Sequence, residues 1–234
     1  MHMDMHRREI LRDLEEDVGY LFENPALLDQ ALTHKSYANE AGGEVQDNER
    51  LEFLGDAVVD LAVSHVLYQV VPPLSEGEMS KVRAYLVKEE SLEQVALSFG
   101  LGNYLRLGKG EDQSGGRAKA SILADAFEAL VAAIYLDGGF AMAYSFVESI
   151  FRPIIAETGT EVIDKDYKTR LQELCQARYS RAPSYRLVGE SGPDHDKIFE
   201  VEIFVGSRPL GRGRGRSKKE AEQRAAQDAL ELLQ

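Results

Sequence analysis

The chain has 234 residues, of which 44% are hydrophobic and 29% charged, and its formal net charge is −13. This composition is typical of a globular protein with one large or two ordinary domains, and an evenly basic nucleic-acid-binding protein is excluded. The single cysteine, Cys175, excludes an intrachain disulfide and fits a reducing cytoplasm, where we expect the protein to act.

No uninterrupted apolar run reaches the roughly 18 residues that a membrane-spanning helix needs. The first twelve residues are polar and charged, unlike a signal peptide. We therefore expect no membrane partner.

The negative charge is unevenly distributed. Residues 1–163 hold 13 basic and 28 acidic side chains, whereas residues 164–234 hold 14 basic and 12 acidic ones. Six basic residues and no acid fall within 208–219. Such asymmetry suggests that the two parts have different tasks, although a solvated basic turn explains the short basic run equally well.

The first 150 residues are predicted to be helical. Asn24-Pro25 fits a helix start, with an N-capping side chain and proline at the first helical position. Ser75 and Glu78 have the spacing of a capping box. Apolar residues three and four apart indicate further helices at 51–61, 92–99, 122–136 and 140–155. No stretch in this half alternates like a strand.

The pattern changes after residue 156. The apolar periodicity fails here, and Thr158, Gly159, Thr160 and Asp164 predict a linker over 157–165. Beyond it, the order is a helix, three strands around a Gly206-Ser207 turn, and a final helix that begins with a second capping-box pattern at Ser217.

Five carboxylates fall at helical spacing in two separate segments. Glu49, Glu52 and Asp56 lie three and four residues apart, so a helix places them on one face. Asp125 and Glu128 share a face of an otherwise apolar helix, where a buried carboxylate is costly unless it is paired or binds metal. For the first three acids alone, a solvated face is the simpler interpretation. Spacing does not establish that the two helices meet.

Carboxylates on two packed helices would suit Mg²⁺, which prefers oxygen ligands. Glu52, Asp56, Asp125 and Glu128 together carry four negative charges, which would balance two such ions. Two ions can activate a water molecule and stabilise the leaving oxygen of a phosphodiester. We predict these four residues as ligands of two Mg²⁺ during catalysis, with Mn²⁺ able to substitute.

Four sequence blocks resemble the ribonuclease III family. The eleven residues 48–58, NERLEFLGDAV, are similar to the hallmark motif of that family. Three further blocks, at 31–36, 76–80 and 123–130, match in the same order. The resemblance covers nearly the whole chain, and four blocks in sequence make a chance match negligible.

The resemblance implies a Mg²⁺-dependent endonuclease domain built only from helices. It implies roles for six acids, namely metal binding by Glu52, Asp125 and Glu128, catalysis by Asp56 and Glu128, and support by Glu49 and Glu76. Glu76 stands at a helix start, where it could instead only interact with the helix dipole. All six acids are present, so we expect an active enzyme.

The second half resembles a double-stranded RNA-binding domain in three blocks, at 167–173, 192–196 and 217–222. The fold class that follows is multidomain, with an all-α ribonuclease III endonuclease domain and then an α+β domain of order α-β-β-β-α. We expect the catalytic domain at 7–156 and the RNA-binding domain at 166–234.

Each block has a physical role on A-form RNA, whose minor groove exposes 2′-hydroxyls. Gln172 and Glu173 lie opposite the apolar face of their helix, free to reach these hydroxyls. The loop of Pro193 and His195 could enter the next minor groove. Lys218 and Lys219 begin the last helix, where free backbone N–H groups also favour phosphate.

The sequence therefore predicts an endoribonuclease that cleaves double-stranded RNA. The resemblance implies a homodimer, 5′-phosphate and 3′-hydroxyl ends, and ribosomal RNA precursors and structured messenger RNA as substrates. It also suggests that Phe53 packs into the partner subunit, although burial in its own core explains an apolar residue there almost as well. Gly211 to Gly215 lacks the spacing of a dinucleotide-binding motif, so we expect no organic cofactor. The alternative is a non-catalytic RNA-binding protein with an acidic dimerisation domain.

Overall fold

The computed structural model describes residues 4–42, 45–70, 72–164, 167–193 and 197–233. The chain divides into two compact units, Met1–Gly159 and Thr160–Gln234. The helices that begin in the first unit are α1 (Met5–Val18), α2 (Pro25–Ala31), α3 (Lys35–Glu40), α4 (Glu49–Tyr68), α5 (Glu76–Leu86), α6 (Glu89–Ser98), α7 (Leu101–Tyr104), α8 (Lys109–Gln113) and α9 (Ala120–Asp164), with a short 3₁₀ turn at Gly116–Ala118. The predicted all-helical domain is confirmed.

The amino-terminal part of α9 forms the centre of the first unit. Leu123, Ala126, Phe127 and Leu130 are fully buried in it. The backbone leaves helical geometry at Gly139, with φ 80° and ψ 176°, where the sequence predicted one helix to end and another to begin. A residue other than glycine would be strained at this φ.

Helix α9 is long and apolar enough to cross a membrane by length and composition alone, over Ala120–Ala156. No membrane is needed to explain this composition. The buried residues of α9 pack into the core of the unit, and four acidic residues, Asp125, Glu128, Asp137 and Glu148, interrupt the apolar sequence. A core helix of a globular unit accounts for both features.

The start of α4 is fixed by buried polar contacts. Asn48 is 3% exposed and donates from its backbone N–H to the carbonyl of Thr33 at 2.9 Å. Its side-chain Nδ2 donates to the carbonyl of Ala31 at 3.2 Å. Because Thr33 is also fully buried, these bonds are shielded from water and hold the first turn of α4 against the end of α2 and the residues that follow it.

The helix starts follow the sequence closely. Asn24 caps α2 ahead of Pro25, and Ser75 and Glu78 form the reciprocal capping box of α5. Ser217 accepts the N–H of Glu220 as predicted, but the Glu220 side chain accepts from Arg216 rather than from Ser217. The last helix therefore has the predicted Ser217 cap, but the return hydrogen bond to Glu220 comes from the backbone of Arg216, one residue earlier.

The second unit contains α10 (Tyr167–Tyr179), β1 (Ser184–Ser191), β2 (Ile198–Val205), β3 (Arg208–Gly215) and α11 (Lys218–Leu233). The three strands form one antiparallel sheet in the order β1-β2-β3. The predicted turn at Gly206-Ser207 joins β2 to β3. A core of residues from α10, β2, β3 and α11 includes Cys175, which is fully buried.

The alternating glycines of β3 let α11 pack closely on the sheet. A Cβ at Gly213 would lie 2.2 Å from the backbone nitrogen of Ala225, and one at Gly211 would lie 2.6 Å from the carbonyl oxygen of the same residue. Real side chains do not approach this closely. The pattern thus reflects helix-on-sheet packing.

The backbone stays helical through most of the segment predicted as a linker. Helix α9 ends at Asp164, and the two units divide between Gly159 and Thr160, inside that segment. Residues 165 and 166 lie outside the described residues. An existing helix extends without new nucleation, so poor helix formers that cost about 1 kcal/mol or less each do not end it. The predicted domain limits of 7–156 and 166–234 stay a prediction.

Candidate metal centre and nucleic-acid interface

Three carboxylates from two helices converge at one point. Glu52 comes from α4, and Asp125 and Glu128 come from α9. One oxygen of each lies within 4.8 Å of the others, and all three residues are half-buried. The sequence named all three, and the structure supplies what spacing could not, because it brings the two helices together at this site.

Gly55 permits this close approach. It is buried in α4 between Glu52 and Asp56, and a Cβ at this position would lie 1.9 Å from the carbonyl oxygen of Glu128. The backbone of α4 therefore touches the backbone of α9 at the residue that carries one of the acids. Sequence reasoning read Gly55 only as part of a motif; a glycine inside a helix between two functional residues was the available signal.

Burial and mutual repulsion raise the pKa values of these acids. The pKa of Glu128 is raised to about 8, first by burial and then by the charges of Asp56, Asp125 and Glu52. Burial also raises the pKa of Glu52, and the negative charge of Asp125 raises it further. The pKa of Asp125 is raised in the same way, first by burial and then by the charge of Glu89. Glu89, at the start of α6, is an acid near the site that the sequence did not single out. Oxygen ligands with excess negative charge fit a hard divalent cation.

The other predicted acids occupy different positions. Asp56 and Glu49 are exposed and lie outside the group of three, although the charge of Asp56 acts on Glu128. Glu76 is exposed at the start of α5, where it accepts a hydrogen bond from the hydroxyl of Ser80 at 3.0 Å. The structure thus gathers three of the predicted ligands and places Asp56 at their edge.

The raised pKa of Glu128 predicts that metal binding depends on pH. A protonated carboxyl must lose its proton before it can bind a cation, so the apparent Mg²⁺ affinity should rise by up to roughly tenfold per pH unit between about pH 6 and pH 8, then level off. Calorimetric Mg²⁺ titrations in buffers of different ionisation enthalpy should detect the released proton at pH 7. An affinity that is constant from pH 6 to pH 9 would contradict this.

The raised pKa of Glu128 also determines how the stability of the metal-free protein changes with pH. A carboxyl with a raised pKa holds a proton in the folded state that the unfolded chain has already lost. The metal-free protein should therefore lose stability as the pH rises from the ordinary carboxyl range towards 8. Thermal unfolding in EDTA measures this change.

An apolar stripe runs along the exposed side of α4. Phe53 is 83% exposed, Leu61 57% and Tyr68 77%. These positions lie about two turns apart, so they share one side of the helix. The alternative in which Phe53 packs in its own core is wrong for the single chain.

The predicted duplex-binding residues are exposed wherever they are described. Gln172 and Glu173 lie on the outer face of α10, opposite buried Leu171 and Cys175. Pro193, Lys218 and Lys219 are exposed, and the two lysines form the first turn of α11. His195 lies outside the described residues.

Two of the six basic residues within 208–219 form ion pairs with an acid on the neighbouring strand. Arg214 lies 2.6 Å and Arg212 2.9 Å from the same carboxylate oxygen of Glu200 on β2. This arrangement lowers the pKa of Glu200, with the Arg214 hydrogen bond as the largest cause. The sequence counted six equivalent basic residues, whereas two of them are paired across strands.

Two family descriptions match the chain, one on each unit. The family described as "Ribonuclease-III-like" matches residues 24–154, and the "Double-stranded RNA binding motif" matches residues 167–233. Each match falls within one of the two units, the first in the helical unit from the residue before α2 onwards and the second in the unit that contains the sheet.

Relatives and solved structures extend the match over almost the full length. A protein of Bdellovibrio bacteriovorus called "Ribonuclease 3" is 51% identical over 222 residues, which cover 94% of this chain and 95% of that protein. Another, from Borreliella burgdorferi, is 48% identical over 97% of this chain and 93% of its own. A solved nuclease domain of ribonuclease III from Campylobacter jejuni is 41% identical with a TM-score of 0.55, covering 61% of this chain and 99% of its own; it is described as flexible in a region involved in dimer formation.

Proposed function

Because the chain belongs to the ribonuclease III family, and is thus an endoribonuclease for double-stranded RNA, we propose that its phosphodiester hydrolysis takes place at Glu52, Asp125 and Glu128. The observation that carries this proposal is the convergence of these carboxylates, from two helices, within 4.8 Å. We assign catalysis to residues 7–156 and duplex binding to residues 166–234. The products carry 5′-phosphate and 3′-hydroxyl ends.

The divalent cation we propose is Mg²⁺, two ions per site during catalysis, with Mn²⁺ as a substitute. When bound, the ions activate a water molecule and stabilise the leaving oxygen. Glu52, Asp125 and Glu128 would hold them, with Asp56 as a further ligand at the edge of the group. With Asp56 included, the ligands carry four negative charges once Glu128 has lost its proton.

The side chains have distinct roles in this proposal. The pKa of Glu128 is raised to about 8 by burial and by the charges of the neighbouring acids. Its carboxylate therefore gains most from a bound cation. Asp56 is exposed on α4 and would be able to face substrate. Glu49 and Glu76 support the site from the starts of α4 and α5.

We propose that the active enzyme is a homodimer that joins through the exposed stripe of α4, with Phe53 inserted into the partner subunit. Phe53, Leu61 and Tyr68 expose apolar surface that association would bury. A two-fold dimer would direct one acidic centre to each strand of a duplex, whose strands are themselves related by approximate two-fold axes. Sedimentation of the full chain tests this.

Duplex RNA is held, in this proposal, by Gln172 and Glu173 in one minor groove, by the loop of Pro193 and His195 in the next, and by Lys218 and Lys219 on the phosphates between. The described members of this set are exposed. The physiological substrates are ribosomal RNA precursors and structured messenger RNA in the cytoplasm.

Replacing both Lys218 and Lys219 with alanine should weaken duplex binding and flatten its salt dependence. Each lysine that neutralises a phosphate adds about 0.9 to the slope of log K against log salt, a value established for B-DNA, so the double variant should lose up to roughly two units of slope. Filter binding over a range of KCl concentrations in EDTA measures this. An unchanged slope would remove the two lysines from the interface.

The function itself is tested by incubating long duplex RNA with the full chain in MgCl₂ and, in parallel, in EDTA. We expect short duplex fragments with MgCl₂ and intact RNA in EDTA. Binding without any Mg²⁺-dependent fragments would favour the alternative of a non-catalytic binding protein.

A further inference from the structure

Lys35 brings a positive charge to the acidic group from a third helix. It is the first residue of α3, and its Nζ donates a hydrogen bond to Oε1 of Glu49 at 3.0 Å. Both side chains are more than half exposed. An ion pair therefore joins the start of α3 to the start of α4, one helical turn before Glu52.

Buried contacts of the neighbouring backbone place the two partners. Asn48, just before Glu49, donates to the carbonyls of Thr33 and Ala31. Thr33 lies two residues before Lys35, so these bonds fix the first turn of each helix relative to the other. Exposed ion pairs usually contribute little because two flexible chains must be ordered. The backbone contacts fix the two helix starts, so the ion pair still has to order two exposed side chains, and by itself it contributes little to stability.

The charge of Lys35 also reaches the acids themselves. It opposes the upward pKa shift of Glu52 and that of Asp125, where His34 acts in the same direction. In return, the pKa of Lys35 is raised, first by its hydrogen bond to Glu49 and also by the charges of Glu52 and Asp125. The charge of Lys35 therefore acts on Glu52 and Asp125 as well as on its direct partner, Glu49, one helical turn before Glu52.

We propose that Lys35 is a positioning residue that holds Glu49 beside the metal-binding acids and acts as their counter-ion until the metal binds. The inference rests on the proposed function, because it takes Glu52, Asp125 and Glu128 as the ligands. Carboxylates gathered without a cation repel one another, and one nearby positive charge offsets part of that cost. The same charge opposes an arriving divalent ion, so Lys35 stabilises the metal-free site at the expense of metal affinity.

The test compares Lys35→Met with Lys35→Arg in the full chain, without RNA. MgCl₂ is titrated by calorimetry at pH 8, and thermal unfolding is followed in EDTA and in MgCl₂. We expect Lys35→Met to bind Mg²⁺ about three- to tenfold more tightly, the effect of removing one nearby positive charge from a site half-open to water. It should also unfold at a lower temperature in EDTA. Lys35→Arg should behave like the wild type, since it keeps the charge.

Lys109→Met is the matched control. Lys109 also begins a short helix, α8, but it is not among the charges that dominate the pKa shifts of the three acids. It should leave Mg²⁺ affinity unchanged. If Lys35 acts through Glu49, the destabilisation that Lys35→Met causes in EDTA should shrink in a Glu49→Gln background.

The outcomes separate the two proposals. Unchanged or weaker Mg²⁺ binding by Lys35→Met would overturn the counter-ion role, and an undiminished effect in the Glu49→Gln background would overturn the positioning role. A wild-type chain that binds no Mg²⁺ would overturn the metal site itself.

Discussion

Replacing Glu128 with glutamine is expected to abolish cleavage of duplex RNA while leaving duplex binding intact. Glutamine has nearly the same size, so packing around α9 is kept, but it carries no negative charge and binds a hard cation poorly. A bound metal contributes several kcal/mol of transition-state stabilisation. Loss of about 4 kcal/mol corresponds to roughly a thousandfold lower rate. Single-turnover cleavage in MgCl₂ measures the loss, and filter binding in EDTA measures affinity.

This result would be specific to the site only if the variant is folded. Because the pKa of Glu128 is about 8 in the metal-free protein, its carboxyl is mostly protonated at pH 7 and already resembles a neutral amide. Glu128→Gln should therefore unfold in EDTA at or above the wild-type temperature, and MgCl₂ should stabilise it less.

Glu90→Gln removes the same charge from an exposed position on α6, where Glu90 faces Lys88 at 3.7 Å. Cleavage by this control should stay within about twofold of the wild type, since Glu90 lies outside the group of three acids and its exposed pair with Lys88 contributes little to stability. A Glu128→Gln enzyme that retains more than a tenth of the wild-type rate would refute the role assigned to Glu128.

The acids of the site were predictable from the sequence one helix at a time. The spacing of Glu49, Glu52 and Asp56 fixes their common face on α4, and the apolar neighbours of Asp125 and Glu128 indicate that α9 is buried. What spacing cannot supply is the contact between two helices about seventy residues apart in the chain. That contact depends on the shape of both surfaces, and here on Gly55.

The same limit explains two of the differences between the prediction and the structure. Arg212 and Arg214 look free in the sequence, but sheet register places Glu200 beside them, and register is a long-range property. The weak helix formers near residue 159 indicate a break, yet a long helix already formed upstream carries the backbone through to Asp164. In both cases, contacts or helix formed elsewhere in the chain decide what the local sequence could not.

Replacing Gly55 with alanine is expected to damage both stability and catalysis. Alanine in a helix is normally favoured over glycine by about 1 kcal/mol, so a purely local view predicts a more stable protein. At Gly55 the added carbon would lie 1.9 Å from the carbonyl oxygen of Glu128, a backbone atom held within α9. Relief requires α4 and α9 to move apart. Overpacking of this kind costs about 1–3 kcal/mol, so we expect a net loss of about 2 kcal/mol in urea unfolding.

Separating the helices also displaces Glu52 from Asp125 and Glu128, because the three carboxylates converge only across this contact. A shift of about 1 Å in a catalytic group can cost on the order of a hundredfold in rate. Gly77→Ala is the matched control, since Gly77 also lies in a helix, α5, with open space around an added Cβ. It should be as stable as the wild type or slightly more so. If Gly55→Ala matched this control in stability and kept its cleavage rate, the close contact between α4 and α9 could not be what assembles the site.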